Sequence, residues 1–172
     1  KSKILKAYFQ ETKPNFKLSF IDEPKPLGTA GGLSLLEGKI KKPFMVTNCD
    51  TIININFDDL VNFHISNGNA LTLVASSKEH TIPYGTCKLT KKGHLHKIIE
   101  KPKFDFFVNV GLYVLNPNLI KLIPKNKTYD MTNLIQLIKT KKKQIGVYPI
   151  DDESWIDVGQ WSEYRKAVDR LI

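Results

Sequence analysis

Short apolar runs alternate with segments of helical period along most of this chain, and that alternation constrains its fold more than any other feature. Pro43-Phe44-Met45-Val46-Thr47-Asn48 and Ala70 to Ala75 are apolar runs of the kind buried in a parallel sheet. Between them a helix is predicted with Phe57, Leu60, Val61 and His64 on one face. Asp58 and Asp59 fall in its first turn, and Gly68 suits its C-terminal cap. Upstream, Lys17 to Ile21 reads as a strand and Pro24 to Gly32 as a loop rich in Pro and Gly.

The later part of the chain keeps the pattern with one change. Gly85 to Thr90 and His94 to Glu100 flank Lys91-Lys92-Gly93, which predicts an antiparallel hairpin. Phe106 to Leu115 reads as a long strand, and Asn116-Pro117 opens a short helix with Pro at its first position. Asp130 caps a helix whose Met131, Leu134, Ile135 and Ile138 share a face. Gln144 to Ile150 and Trp155 to Val158 read as short strands, and a closing helix carries Tyr164, Val168 and Leu171. Strand–helix alternation with an inserted antiparallel section predicts an α/β fold. The expected form is a Rossmann-like three-layer sandwich with a mixed, mostly parallel sheet. At 172 residues, the chain is expected to form a single domain over 1–172.

Composition excludes several classes of function. No run approaches the roughly 20 apolar residues that cross a membrane. The basic start, Lys1 to Lys6, is followed by no apolar core or cleavage site, so no signal peptide is expected. The net charge of +9 comes from scattered lysines, with arginine only at Arg165 and Arg170. Aromatics interleaved with arginine, as nucleic-acid binders use for stacking, are absent, so nucleic acid is not an expected partner. Cys49 and Cys87 form no metal-type pair and are expected to be half-buried thiols of a reducing, cytoplasmic compartment.

Five segments stand where strands meet loops. Pro26 to Gly32 carries three glycines beside Thr29 and Ala30, which either lets backbone approach a ligand closely or forms a flexible turn. Val46 to Asp50 ends an apolar strand in an acid that holds a metal or caps the next turn. Ile98 to Pro102 places Glu100 and Lys101 side by side, as sugar and phosphate partners or as a surface ion pair. Asn109 and Gly111 interrupt an apolar strand, for a ligand or a bulge. Trp155 to Gly159 presents Asp157, a second metal-type carboxylate or a helix cap.

Taken in order, PLGTAGG, VTNCD, PYG at Pro83 to Gly85, IIEKP, NVGLYVL and WIDVG resemble the sugar-phosphate nucleotidylyltransferases. That family includes glucose-1-phosphate thymidylyltransferases and mannose-1-phosphate guanylyltransferases. DMTNLI at Asp130 to Ile135 and the apolar strand before Asn109 look most like the guanylyltransferase type.

The resemblance implies transfer of a nucleoside monophosphate from a nucleoside triphosphate to a sugar 1-phosphate. It implies Asp50 and Asp157 as ligands of Mg²⁺, Glu100 on sugar hydroxyls, and Lys101 on the sugar's phosphate. Asn109 and the Gly85 backbone would complete the sugar pocket, with Gly28, Thr29, Ala30 and Gly31 along the nucleobase. Two departures accompany it. Cys49 stands where the family usually has Gly, and nothing in residues 1–24 resembles the family's Gly-rich triphosphate loop. With no initiator Met, the chain is expected to begin inside a longer protein, lacking a first strand and inactive alone. A non-catalytic nucleotide-sugar sensor is the alternative.

Overall fold

The computed structural model describes residues 2–159, and the predicted closing helix with Tyr164, Val168 and Leu171 lies outside them. The chain divides into two compact units, residues 2–41 with 117–137 and residues 42–116 with 138–159.

The second unit is built on a four-stranded sheet of β1 (Phe44–Thr47), β6 (Lys103–Leu115), β3 (Leu71–Thr81) and β7 (Ile145–Ile150), in that spatial order. β6 runs antiparallel to both β1 and β3, while β3 and β7 are parallel. Three strands therefore share one direction and β6 alone is reversed, which gives the mixed sheet expected. Because β6 lies between β1 and β3, however, two of the sheet's three pairings are antiparallel rather than most being parallel. Leu60, Val74, Val110, Leu112, Val114 and Ile150 form its core. Each such aliphatic side chain contributes about 1.5–3 kcal/mol by leaving water.

Leu60 and His64 come from α3 (Phe57–Ser66), where they lie one turn apart and are both buried. The cap of α3 is Asn56, whose side chain accepts from the Asp58 and Asp59 N–H groups. Gly68 ends the helix at φ +62°, a conformation that favours glycine. His64 has no face on solvent. Its Nδ1 lies 2.9 Å from Thr72 Oγ1 and its Nε2 3.3 Å from Asn116 Oδ1.

β1 departs from expectation. Among the described residues it is an edge strand, with Phe44 and Val46 half-buried but Met45 and Thr47 exposed. An apolar run cannot distinguish a strand covered on both faces from one covered on a single face. Two short ladders complete the unit. β4 (Thr86–Leu89) and β5 (Leu95–Ile99) form the predicted hairpin, with Gly93 at φ +83° in its turn. β2 (Thr51–Ile53) pairs antiparallel with β8 (Trp155–Asp157) over three residues each.

The first unit is helical. α1 (Ser2–Thr12) carries Ile4, Leu5, Tyr8 and Phe9 at helical spacing, yet has no buried residue. The strand predicted at Lys17 to Ile21 is instead chain without regular secondary structure, with Leu18, Phe20 and Ile21 exposed. Strand composition without a ladder partner leaves its amides to solvent. The segment is held against α1 by Phe9 on Phe20 and by Lys6, which is 2.5 Å from Asp22 Oδ2. The expected loop turns helical at Gly28, through α2 (Gly28–Gly31) and a 3₁₀ turn at Gly32–Leu36. Pro117 opens a second 3₁₀ turn, Pro117–Leu122, and α4 (Met131–Thr140) follows. Leu27, Ala30, Leu119, Ile120, Ile123, Met131 and Leu134 are buried here. No helix of the described residues is long and apolar enough to cross a membrane.

Candidate active site

The β2–β8 ladder brings together two carboxylates that lie far apart in the chain. β1 ends at Thr47, and Asn48 turns the chain by donating its N–H to Gly111 O at 3.0 Å. The Thr47 and Thr51 hydroxyls both donate to Asn48 O at 3.2 Å and tighten that turn. Asp50 follows at its tip. On the other strand Asp157 pairs in register with Thr51, and Val158 N–H donates to Asp50 O at 2.9 Å. Asp157 Oδ1 accepts the Gly159 N–H at 3.0 Å.

A methyl placed on Gly159 would lie 3.0 Å from Asp157 Oδ1 and 3.1 Å from Asp50 Oδ2. Both carboxylates thus border one point, and those two oxygens can be no farther apart than the two distances combined. A side chain at Gly159 would crowd both carboxylates, which would have to give by a few tenths of an ångström.

The carboxylates line a pocket of about 180 Å³ together with Asn48, Asn109, Tyr113 and Trp155. Asn109 reaches it through a β-bulge. The β3–β6 register steps from Leu73↔Tyr113 to Ala75↔Asn109, so three residues of β6 face Val74 alone. Gly111 sits in this bulge at φ +81°, where a Cβ would come within 2.5 Å of Asn48 Nδ2. Asn109 is fixed at both ends of its amide. Its Nδ2 donates to the Tyr113 hydroxyl at 2.6 Å, and its Oδ1 accepts from Gly111 N–H at 3.2 Å.

Among the described residues no group of three or more His, Cys, Asp and Glu is assembled, which leaves no place there for a zinc-type cage. Two hard carboxylates fit a divalent cation that takes its other ligands from phosphates and water. Cys49 and Cys87, expected to be half-buried, are both exposed free thiols. Their turn and outer-strand positions place them away from the core.

Gly85, Glu100 and Lys101 do not line that pocket. They belong to the β4–β5 hairpin, where a methyl on Gly85 would lie 2.7 Å from Glu100 Oε2. Lys101 is exposed and adopts φ +43° just before buried Pro102. The structure therefore joins Asp50, Asp157 and Asn109 in one pocket, while Gly85 lies beside Glu100 at the base of the hairpin.

Gly28, Thr29, Ala30 and Gly31 lie in the first unit, with their polar groups already engaged. Thr29 N–H donates to Asp130 Oδ1 at 3.0 Å, while the Ala30 and Gly31 N–H groups both donate to Tyr129 O at 2.9 Å. Thr29 Oγ1 in turn accepts from Met131 N–H at 2.8 Å, capping α4. The predicted Asp130 cap is thus exchanged. Asp130 serves α2, and Thr29 serves α4. A Cβ on Gly28 would meet Asp130 Oδ1 at 2.6 Å, and one on Gly31 would meet Lys127 O at 2.9 Å.

Asn48, Tyr113 and Trp155 are pocket residues that sequence reasoning missed. Each stands inside one of the motifs at strand ends, so a signal exists, but its own side chain carries no charge to set it apart from a structural polar or aromatic residue.

Comparison with known proteins agrees with this architecture. The family model described as "Nucleotidyl transferase" matches residues 1–172. Mannose-1-phosphate guanyltransferase 2 of Candida glabrata is 37% identical over 169 residues, covering 93% of this chain and 45% of that protein. Mannose-1-phosphate guanyltransferase of Saccharomyces cerevisiae is 35% identical, with the same 93% and 45% coverage. The chain thus spans less than half the length of these relatives. HddC from Yersinia pseudotuberculosis superposes with a TM-score of 0.72 at 21% identity, covering 99% of this chain and 74% of HddC. Its complex with GMP-PN gives a TM-score of 0.68 at 22% identity, covering 99% and 74%. These structures share the fold. With the family model matched from end to end, the chain belongs to the nucleotidyl transferase family.

Proposed function

We propose that the protein transfers a nucleoside monophosphate from a nucleoside triphosphate to a sugar 1-phosphate, with GTP and mannose 1-phosphate as the preferred pair. The observation that carries this reading is the convergence of Asp50 and Asp157 on one pocket with Asn109. The relatives' names supply the substrate pair.

In this reaction an oxygen of the sugar phosphate attacks the α-phosphorus in line. The new P–O bond forms as the bond to the β-phosphate oxygen breaks, and pyrophosphate leaves with that electron pair. Asp50 and Asp157 hold Mg²⁺, which when bound neutralises phosphate charge. The chain's own contribution is positioning. Asn109, locked between Tyr113 and Gly111, offers its amide to the sugar without a rotamer search. Glu100 accepts sugar hydroxyls, and Lys101, an exposed ammonium, meets the sugar's phosphate. Because the N–H groups of Thr29, Ala30 and Gly31 are occupied, the Gly28 to Gly31 segment offers the nucleobase a smooth surface rather than donors.

The test is pyrophosphate release by the full-length protein, across the common triphosphates and a panel of hexose 1-phosphates with Mg²⁺. The highest kcat/KM is expected with GTP and mannose 1-phosphate, and no turnover with any pair overturns the proposal.

A further inference from the structure

Among the described residues the β2–β8 ladder has three residues on each strand and no third strand beside it. A two-stranded ladder this short is marginal by itself, so something else must hold β8 in place. Trp155, its first residue, packs against the core cluster of Leu60, Val74 and Val110. Lys78 meets the same ring. Its Nζ is 5.4 Å from the Trp155 ring centroid and 2.5 Å from Asp152 Oδ1. Asp152 begins the 3₁₀ turn Asp152–Ser154 that leads directly into β8. The end of that turn is tied to the far end of β2, because Asn54 N–H donates to Ser154 O at 2.8 Å.

One cation on the long strand β3 therefore fastens both the turn and the first residue of β8. Two residues further along stands Asp157.

We infer that Lys78 is a positioning residue for Asp157: by clamping Asp152 and Trp155 it holds β8 in the register that sets Asp157 beside Asp50. The inference rests on the proposed nucleotidylyl transfer only for its consequence in catalysis, because the clamp itself is a property of the fold. Lys78 does not line the carboxylate pocket. Its loss loosens the carboxylate pair without removing a ligand. With the metal-binding residues intact but less well held, more Mg²⁺ is needed to reach the same rate.

The full-length protein is compared as wild type, Lys78→Met and Lys78→Arg. The Lys78 side chain is 42% exposed, so Met at this position is tolerated by the fold. Arginine keeps a cation over the ring and a donor for Asp152. The first readout is hydrogen exchange at the Asn54 and Val158 amides, which bridge the two strands. Lys78→Met is expected to speed exchange there about three- to tenfold, the size of an exposed ion pair plus a cation–π contact. The buried amides of β3 and β6 are expected to stay unchanged.

The second readout is the Mg²⁺ concentration giving half-maximal rate. It is expected to rise by a similar factor in Lys78→Met, with kcat at saturating Mg²⁺ preserved, and Lys78→Arg is expected to restore both readouts. Equal exchange at Asn54 and Val158 in wild type and Lys78→Met overturns the clamp. So does Lys78→Arg behaving like Lys78→Met. If the wild type shows no turnover, the proposed function fails, and the exchange measurement alone still decides the clamp.

Discussion

The Gly28 to Gly32 segment and the Asp50–Asp157 pair look equivalent in the sequence, since each is a ligand-type motif beside a predicted strand. Folded, they differ in what occupies their polar groups. In the glycine segment the N–H groups of Thr29, Ala30 and Gly31 are taken by Asp130 and Tyr129. The absent side chains of Gly28 and Gly31 make room for neighbouring chain. In the carboxylate pair, the side-chain oxygens border an open pocket, and the backbone makes the ladder. Glycine reports close approach, and only the fold says whether the approaching group is protein or ligand. Two carboxylates bordering one pocket point to a ligand more directly, because like charges held close together repel unless a cation meets them.

The largest expected effect breaks the comparison on the carboxylate side. Asp50→Asn and Asp157→Asn each should lower kcat/KM about 10²- to 10³-fold in pyrophosphate release. Asparagine keeps the size of each side chain and, at Asp157, an oxygen for the Gly159 amide. Chelation of the metal should abolish turnover in the wild type, and added Mg²⁺ should restore it. If either variant stays within about tenfold of wild type, the ladder is not where the chemistry occurs.

On the glycine side, Gly28→Ala forces a Cβ to within 2.6 Å of Asp130 Oδ1 at φ +78°. Denaturant unfolding should show a loss of about 1–3 kcal/mol, with KM for the triphosphate little changed. Unaltered stability with a raised KM would mean that Gly28 is kept for the nucleobase rather than for packing against Asp130. Thr29→Val should cost less, about 1 kcal/mol, because it removes the hydroxyl capping the Met131 N–H.

The smallest effect belongs to an exposed pair of the first unit. Lys125 lowers the Glu37 carboxyl below its ordinary value, first through their hydrogen bond and then through its charge, with a smaller contribution from the charge of Lys121. A depressed carboxylate stabilises the fold above its unfolded value and ceases to as pH falls through its folded one. The difference in Tm between wild type and Lys125→Met should therefore be slight at neutral pH and vanish on acidification.

Local features were legible wherever neighbours in sequence suffice. The α3 face with Leu60 and His64, the Gly68 stop, the Gly93 hairpin and the Pro117 turn all follow from residues within a few positions. The Asn109–Gly111 interruption was readable as a bulge or a ligand approach, and it is a bulge that also brings Asn109 into the pocket. The failures share a cause. Lys17 to Ile21 has strand composition but no partner, β1 is apolar but covered on one face only, and β2 is too short for a period of two to register. The helix at Ser2–Thr12 does carry a local signal, Ile4, Leu5, Tyr8 and Phe9 at helical spacing, but none of these residues is buried in the fold.

By itself the sequence determined which segments are apolar, where α3 begins and ends, and that Asp50 and Asp157 each stand just after or at the end of an apolar run, because those properties depend on local period and local hydrogen bonding. Only the tertiary structure decided that these two acids meet, that Lys78 reaches Trp155, and that Thr29 and Asp130, 101 positions apart, exchange caps. Each of those contacts joins distant parts of the chain, and its geometry is set by how sheet and helices pack rather than by anything written beside the residues that make it.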